Sequence, residues 1–388
     1  MSRFIPNPSL KDAEPADVLR LIRSEHVGPM TFFQLVKYAG SVKRAIEVAP
    51  DLSRRGGRKR AITIWPKGEA ERELDALRKF GARIVVYGEA DYPRLLQLVP
   101  DAPPLLTLRG HAHLLSGEKL VAMVGARNAS ANGCLFARKL ASELGAAGFV
   151  TVSGLARGID ASAHRGALSA GTIAVIGGGI DNIYPPENEA LFAQIAESGA
   201  ILSEMPFGAR PHARSFPGRN RIIAGMSRGT VVVEASLKSG SLITAEYALD
   251  YGRDVFAVPG SPMDPRASGT NRLLRDGATM VESARDVLDN LASLSMPPLA
   301  EAEGSGFREP PASELAEDAL AEARGAVLEG LSATPTALED LLSATGVPAK
   351  ALMVVLLELE LAGRLERHPG AKVSLRMNED YDALRSSR

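Results

Sequence analysis

Three glycine-rich loops, each placed directly after a short apolar run, restrict the fold of this chain more than any other feature. Within residues 121–180 the succession of apolar run, glycine turn and helical periodicity occurs three times, with turns at residues 125–130, 153–160 and 177–179. Continuous apolar runs of this kind are typical of parallel strands that are buried on both faces. The sequence therefore predicts an α/β fold around a parallel sheet.

Phosphate is the ligand that such turns suit best. In an open α/β sheet they lie at the carboxyl ends of the strands, where ligands bind. Glycine lets the backbone approach a ligand closely, and the unpaired N–H groups at the start of the next helix attract anions. We expect Ser130 or Asn132 to cap a helix over residues 133–145, and Asp160 to cap one over residues 161–168. Because the dinucleotide fingerprint and the P-loop are both missing, tight turns without a ligand stay open as the alternative.

Two polar stretches further along the chain add cations to these loops. Residues 219–226 are predicted to form a helix whose first turn contains Arg219, Asn220 and Arg221. Cations at a helix N-terminus oppose the helix dipole unless an anion lies between them, which favours phosphate binding over a merely exposed basic face. Residues 238–245 follow another buried strand and combine a lysine, hydroxyl groups and a glycine. They predict a further anion cradle.

Glu234 ends the strand before that cradle and admits two interpretations. Its carboxylate could be catalytic, but the sequence offers no His, Ser and Asp arrangement and no HExxH pairing nearby. We favour a structural role in which it accepts a backbone N–H or an arginine.

Composition limits the class of protein. A chain of 388 residues fits two or three domains. A formal net charge of −1 argues against a protein that coats nucleic acid over its whole surface. Cys134 is the only cysteine, so neither a disulfide framework nor a cysteine metal site can form within one chain. The sequence lacks an apolar signal core and any apolar stretch of membrane-spanning length, and we expect a cytoplasmic location with no membrane partner.

Helical segments flank the glycine-rich region. Residues 1–80 predict a small helical domain of the SAM or helix-hairpin-helix type, which contacts nucleic acid or protein or else serves as a structural or dimerising cap. Residues 297–324 predict a flexible acidic linker. Residues 325–380 predict a winged helix. Its second helix is almost wholly apolar and contains Glu358 and Glu360, which favours a protein contact, while basic residues in the wing keep DNA as the alternative.

These motifs together resemble the DprA family, also called Smf, the bacterial DNA-processing proteins of natural transformation. The resemblance covers residues 82–295 and rests on Val124-Gly-Ala-Arg127, Ser153-Gly-Leu-Ala-Arg-Gly-Ile-Asp160, Gly177-Gly-Gly179, Ser203-Glu204, Phe216-Pro-Gly-Arg-Asn-Arg-Ile-Ile-Ala-Gly225, Ser239-Gly-Ser-Leu-Ile-Thr-Ala245 and Val258-Pro-Gly260. It implies an extended Rossmann-like, doubly wound domain over residues 81–296. It also implies a homodimer without enzyme activity, cofactor or metal that binds and protects incoming single-stranded DNA and helps to load the RecA recombinase.

The expected contacts with single-stranded DNA lie in the glycine loops and the two polar stretches. They are Gly125, Arg127, Asn128, Ser130, Ser153, Gly154, Ala156, Arg157, Gly158, Asp160, Gly178, Gly179, Arg219, Asn220, Arg221, Lys238, Ser239, Gly240, Ser241 and Thr244. Phe207, Phe216 or Tyr184 would supply base stacking. The rival hypothesis is a nucleotide phosphoribohydrolase that holds a mononucleotide in the same loops and uses Glu234 as its acid–base group.

Overall fold

The computed structural model describes residues 7–213, 215–293, 317–368 and 371–376. The chain divides into two compact units. The first contains residues 7–11 and 72–293, and the second contains residues 12–71 together with the described residues from 317 onward. The second unit is thus assembled from two segments that lie on either side of residues 72–293 in the sequence.

The N-terminal helices have recognisable start and stop signals. They are α1 (Pro15–Ile22), α2 (Pro29–Ala39), α3 (Val42–Arg55) and α4 (Lys67–Lys79). Proline occupies the first turn of α1 and of α2, where its missing N–H has no helical partner to lose. The hydroxyl of Ser41 accepts the Arg44 N–H and caps α3. The predicted helical character of this segment is confirmed.

The first unit is built around one large sheet. Its strands are β1 (Arg83–Val86), β2 (Leu105–Gly110), β3 (Leu120–Val124), β4 (Val150–Ser153), β5 (Thr172–Val175), β6 (Ala200–Ser203), β7 (Gly229–Val232), β8 (Asp254–Ala257) and β9 (Thr279–Met280). Among the described residues they lie in the order β1-β2-β6-β5-β4-β3-β7-β8-β9. The β1–β2 and β2–β6 pairs are antiparallel, and the other pairs are parallel. This arrangement confirms the predicted doubly wound sheet.

Helices cover the sheet between these strands. They are α5 (Ala131–Ala146), α6 (Ile159–Ala167), α7 (Glu189–Ser198), α8 (Ser215–Met226), α9 (Gly240–Asp250), α10 (Ser268–Arg275) and α11 (Ala284–Ser293). One apolar core joins side chains of β3, β7 and β8 to α5, α6 and α11. A second joins β5 and β6 to α6 and α7.

Two predicted helix starts are wrong. Asp160 does not cap α6, because the helix begins one residue before it, after Gly158 with φ +75°. Its carboxylate instead accepts the Ala156 N–H at 3.3 Å. Arg219 and Arg221 do not lie in the first turn of their helix, because α8 begins at Ser215. The argument from the helix dipole therefore does not apply to these arginines.

The C-terminal segment forms the predicted winged helix. Its elements are α12 (Glu317–Gly330), β10 (Thr336–Ala337), α13 (Leu338–Thr345), α14 (Ala349–Leu361), β11 (Leu365–His368) and β12 (Lys372–Leu375). The three strands form a small antiparallel sheet in the order β10-β12-β11. The predicted linker overlaps α12 from residue 317, and its residues 297–316 lie outside the described part of the chain. The division at residues 80, 296 and 324 stays a prediction.

No single helix in the described ranges is long and apolar enough to cross a membrane, and only the pair α13 and α14, bent by 115° at its break, reaches that length and apolarity together.

Candidate functional site

The strand order changes direction at β3. From β3 the chain proceeds outward through β4, β5 and β6, and then returns to place β7 on the other side of β3. The loops after β3, β4, β5 and β7 all leave from the carboxyl edge of parallel strands. An open α/β sheet forms its ligand crevice at such a point.

Two adjoining clefts occupy this edge. One has a volume of about 360 Å³ and the other about 650 Å³. Both are lined by Arg127, Asn128, Ala156, Phe216 and Arg219, so these residues form the border that the clefts share. We call the two clefts together the switch-point groove.

Most of the expected contact residues are brought together in this groove. The structure places the following along its walls: Gly125, Arg127, Asn128, Gly154, Ala156, Arg157, Asp160, Gly178, Arg219, Asn220, Ser239, Gly240, Ser241 and Thr244. The remaining expected residues, Ser130, Ser153, Gly158, Gly179, Arg221 and Lys238, do not line either cleft. Whether any of them contacts DNA stays a prediction.

Arg219 is a buried cation at the border of the clefts. Its side chain projects from α8, only 7% of the residue is exposed, and its Nη1 donates to the Val175 carbonyl at 2.7 Å. Its Nε has no hydrogen-bond partner within the described residues. Burial lowers the pKa of Arg219 to about 10 while nearby Asp160 opposes the shift, so the guanidinium stays charged at neutral pH.

The Arg219 guanidinium occupies the space that a side chain at position 154 would fill, so its position requires glycine there. A Cβ added to Gly154 would overlap the guanidinium nitrogens. The next residue, Leu155, has φ +55°, in a region that favours glycine. The Asn188 amide holds this turn by donating to the carbonyls of Leu155 at 2.9 Å and Ala156 at 3.3 Å. A non-glycine residue held in this conformation is a common feature of ligand-binding loops.

Arg221 has a different role from the one that the sequence suggested. It is 8% exposed and its Nη2 donates to both carboxylate oxygens of Glu204, at 2.5 and 2.6 Å. Its Nη1 donates to the Asp101 carbonyl at 2.5 Å. The carboxylates of Glu204 and Asp101 raise the pKa of Arg221 against the effect of burial. The charge of Arg221 is thus balanced inside the protein, and its contact with DNA stays a prediction.

The start of α9 forms the far wall of the larger cleft. The Asn220 amide donates to the Gly240 carbonyl at 3.1 Å, which ties α8 to this helix start. Ser239 caps α9, and its hydroxyl lies 2.7 Å from that of Ser241. Thr244 is 1% exposed, and its hydroxyl has no hydrogen-bond partner among the described residues. A hydroxyl without a partner near a helix N-terminus suits a phosphate.

Glu234 has the structural role that we favoured. Its carboxylate accepts the Ser130 N–H at 2.9 Å and the Ser130 hydroxyl at 2.5 Å. Ser130 in turn caps α5 by accepting the Gly133 N–H at 2.9 Å, as expected. Glu234 joins two loops of the sheet edge, and it does not line either cleft. The carboxylate that the hydrolase hypothesis uses as its acid–base group is thus bound to Ser130.

Aromatic rings lie beside the cations of the groove. The Arg127 Cζ lies 4.7 Å from the centroid of the Phe216 ring, and the Tyr184 ring lies 6.0 Å from Phe216. Tyr184 is 43% exposed. Phe207, the third expected stacking residue, packs edge-on against Phe80 at 5.8 Å and does not line either cleft.

Sequence reasoning missed some groove residues. Asn182 and Pro211 line the smaller cleft, and Arg266 lines the larger one. Arg266 binds Asp264, its near neighbour, at 2.9 Å. Arg266 lies nine residues after the end of β8 and is not part of a glycine loop that directly follows a strand. No local sequence pattern therefore predicted it as a groove residue.

Comparison with known proteins agrees with this geometry. Residues 83–292 match the family described as DNA recombination-mediator protein A, residues 12–76 a DprA-like N-terminal HHH domain, and residues 310–371 a DprA winged helix domain. Protein Smf of Synechocystis is 38% identical over 318 residues, which are 74% of this chain and 79% of that protein.

Solved structures show the same likeness. DNA processing protein A of Streptococcus pneumoniae is 35% identical, with a TM-score of 0.60 over 73% of this chain and 98% of that one. The protein of the same name from Helicobacter pylori, described for its single-stranded DNA binding mode, is 31% identical. Its TM-score is 0.51 over 55% of this chain and 96% of that one.

Proposed function

Since the chain belongs to the DNA recombination-mediator protein A family, which has a DNA-processing role, we propose that it binds single-stranded DNA along the switch-point groove. The observation that carries this proposal is the pairing of Arg219 with Arg127 at the border of two clefts. One guanidinium is buried and held by the fold, and the other is exposed beside it. A phosphate between them would compensate charges that the protein leaves in excess.

The rest of the groove fits a flexible polyanion. Arg157 extends from the loop after β4, with its side chain 60% exposed, and its exposed partner Glu187 lies 3.6 Å away. An exposed ion pair of this kind is weak and can yield to a phosphate. The start of α9 offers the Thr244 hydroxyl, which has no hydrogen-bond partner among the described residues, in the wall of the larger cleft. Successive phosphates can therefore be held without reading the bases.

Phe216 and Tyr184 supply the second element of single-strand recognition. Bases stack on aromatic rings with little preference, because every base has a π face. With Arg127 over one ring, the groove alternates cation and aromatic surface. We expect weak sequence preference and strong dependence on salt.

We further propose that this binding protects incoming single-stranded DNA, helps to load RecA during natural transformation, and occurs in a homodimer that is not an enzyme. Membership of the family supports these finer roles. The structural role of Glu234 supports the proposal that the protein is not an enzyme.

The test is fluorescence anisotropy with labelled oligo-dT at low salt. Arg127→Ala should weaken binding roughly tenfold, because a hydrogen bond to a charged group contributes on the order of 1.5 kcal/mol or more. Arg285→Ala is the matched control, since its side chain is 85% exposed and lines neither cleft. Equal affinity of the Arg127 variant and the wild type would refute the placement.

The rival enzyme class needs a separate assay. Incubation with AMP should release no adenine, because the Glu234 carboxylate is bound to Ser130 and lines neither cleft. Release of adenine that is lost in a Glu234→Gln variant would establish the hydrolase instead.

A further inference from the structure

Helix α14 of the second unit is mostly buried, and its exposed residues, Ala349, Lys350 and Met353, include one polar side chain. In helix-turn-helix proteins the second helix enters the major groove with exposed polar side chains. Here α14 is that second helix, and its buried residues are Ala351, Leu352, Val354, Val355, Leu356, Leu357, Glu358, Leu359 and Leu361. Part of this set belongs to the core of the winged helix itself. The remainder must be covered by another element.

The covering element is the N-terminal helical segment. Both α2 and α3 contact α14, and Tyr38 at the end of α2 packs against the winged-helix core. One close approach is at Gly56, which caps α3. A Cβ at Gly56 would overlap the backbone carbonyl of Glu358 and come within 2.9 Å of the Ala362 Cβ. Two helices meet there with backbone against backbone.

Polar contacts surround this apolar seam. Arg364 donates to the Gly56 carbonyl at 3.1 Å, and Arg367 donates to the Gln34 side chain at 2.8 Å. Each bond joins the wing to a different N-terminal helix. An apolar centre with polar contacts at its edge is the usual anatomy of a protein–protein interface.

The loop between α1 and α2 is engaged in the same way. Gly363, with φ +72°, lies against the His26 ring, and His26 itself has φ +59°. A cleft of about 390 Å³ separates this loop from the wing, with both of its walls made from the second unit. The helical hairpin and the winged helix thus present their loops to each other.

Charge also argues against DNA as the partner of α14. Glu358 is 0% exposed and pairs with Arg324 at 2.7 Å. Glu360 pairs with Arg367 at 3.0 Å. These carboxylates would repel phosphates, and the arginines that neutralise them are bound to them. Only a protein surface matches an apolar helix with buried ion pairs.

We propose that α14 is a protein-docking helix whose partner is this chain's own N-terminal helical bundle, and that α14 does not read duplex DNA. The second unit is a closed module, and single-stranded DNA is left to the switch-point groove. The docking part of this inference does not depend on the proposed function of the groove.

Gly56→Leu in the full chain tests the docking. Gly56 has φ −68°, so leucine is compatible with the backbone and acts only as a wedge against α14. Gly325→Leu is the matched control, because nothing lies within 4 Å of a Cβ there. Hydrogen–deuterium exchange should become at least tenfold faster in α3 and α14 of the Gly56 variant, with β3, β4 and β5 unchanged. Unchanged protection of α14 would overturn the proposal.

Arg364→Ala removes one polar contact without adding volume, so it tests the same seam if the wedge variant fails to fold. Its α3 amides should exchange a few-fold faster than those of the wild type. Protection of α14 that falls on dilution of the wild type would assign the docked bundle to a second copy and overturn the intrachain assignment. A gain of duplex DNA affinity by Gly56→Leu relative to Gly325→Leu would show that α14 reads DNA, and would overturn the protein-docking role.

Discussion

At the scale of single residues, burial decides which side chains can respond to their surroundings. His164 is fully buried, and its Nδ1 lies 2.8 Å from the Thr172 hydroxyl, which itself donates to the Thr151 carbonyl at 2.7 Å. The histidine must therefore donate from Nδ1, and its Nε2 has no partner within the described residues. Burial, with Arg219 and Arg165 nearby, lowers the pKa of His164 from 6.5 to about 3.

This histidine predicts a loss of stability in mild acid. Between pH 6.5 and about 3 the unfolded chain binds a proton that folded His164 does not, so the free energy of unfolding falls as pH falls. The slope that His164 adds is at most about 1.4 kcal/mol per pH unit. Urea unfolding from pH 7 to pH 5 should show a smaller loss in His164→Leu than in the wild type. Parallel pH profiles would contradict the assignment.

Sequence could not separate Arg219 from Arg221. Both lie in one acid-poor stretch, and both were expected to bind phosphate. The structure places Arg221 against Glu204, which is seventeen residues earlier in the chain, and gives the Nε of Arg219 no partner in the described part of the chain. Which of the two arginines pairs with a carboxylate depends on how distant elements pack together. The local sequence pattern does not determine that packing.

At the scale of elements, the loops after the strands were predictable because they depend on local sequence. Short apolar runs ending in glycine placed β3, β4 and β5 within a residue or two of their observed bounds. Helix starts were less predictable. A helix was expected to begin at Arg219, yet α8 begins at Ser215 and includes the proline and glycine that precede Arg219. Tertiary packing overrides local propensity at such positions.

The contact of Glu234 with Ser130 at the start of α5 should contribute to the free energy of unfolding. Its carboxylate accepts both donors of Ser130 at the N-terminus of α5. Glu234→Gln should lower the free energy of unfolding by about 1–2 kcal/mol, because the two Ser130 donors bind different carboxylate oxygens, one of which becomes an NH2 group, and because the amide carries no charge for the helix dipole. Guanidinium unfolding measures this change.

Glu118→Gln serves as the control for that measurement. Its side chain is 78% exposed, and the expected change is within about 0.5 kcal/mol. Equal stability of the two variants would mean that Glu234 is not needed for this capping arrangement.

At the scale of the whole molecule, net charge conceals a local field. The chain carries −1 overall, yet the groove gathers Arg127, Arg157 and Arg219 around one buried carboxylate, Asp160. Composition predicted that any nucleic-acid contact would be local. It did not predict the second unit, because the contact of α3 with α14 joins segments nearly 300 residues apart and no periodicity records such a pairing.

The salt dependence of binding should report how many arginines of the groove contact phosphates. Three arginines that contact phosphates give a slope of roughly −2 for the logarithm of the affinity against the logarithm of salt concentration on single-stranded DNA. Arg127→Ala should reduce that slope to roughly −1.4, while Arg285→Ala should leave it unchanged. Anisotropy between 50 and 300 mM salt measures both. A slope near zero would exclude binding led by phosphates.

The assembly of the second unit from both sides of the first has a consequence for biosynthesis. Residues 12–71 leave the ribosome early, but α14, which covers α3, is translated only after the entire groove domain. At ordinary elongation rates that delay is on the order of tens of seconds. During that interval the apolar surface around Gly56 and Tyr38 lacks the α14 helix that covers it in the folded protein. A nascent chain that stalls before α14 is translated would expose this surface to chaperones.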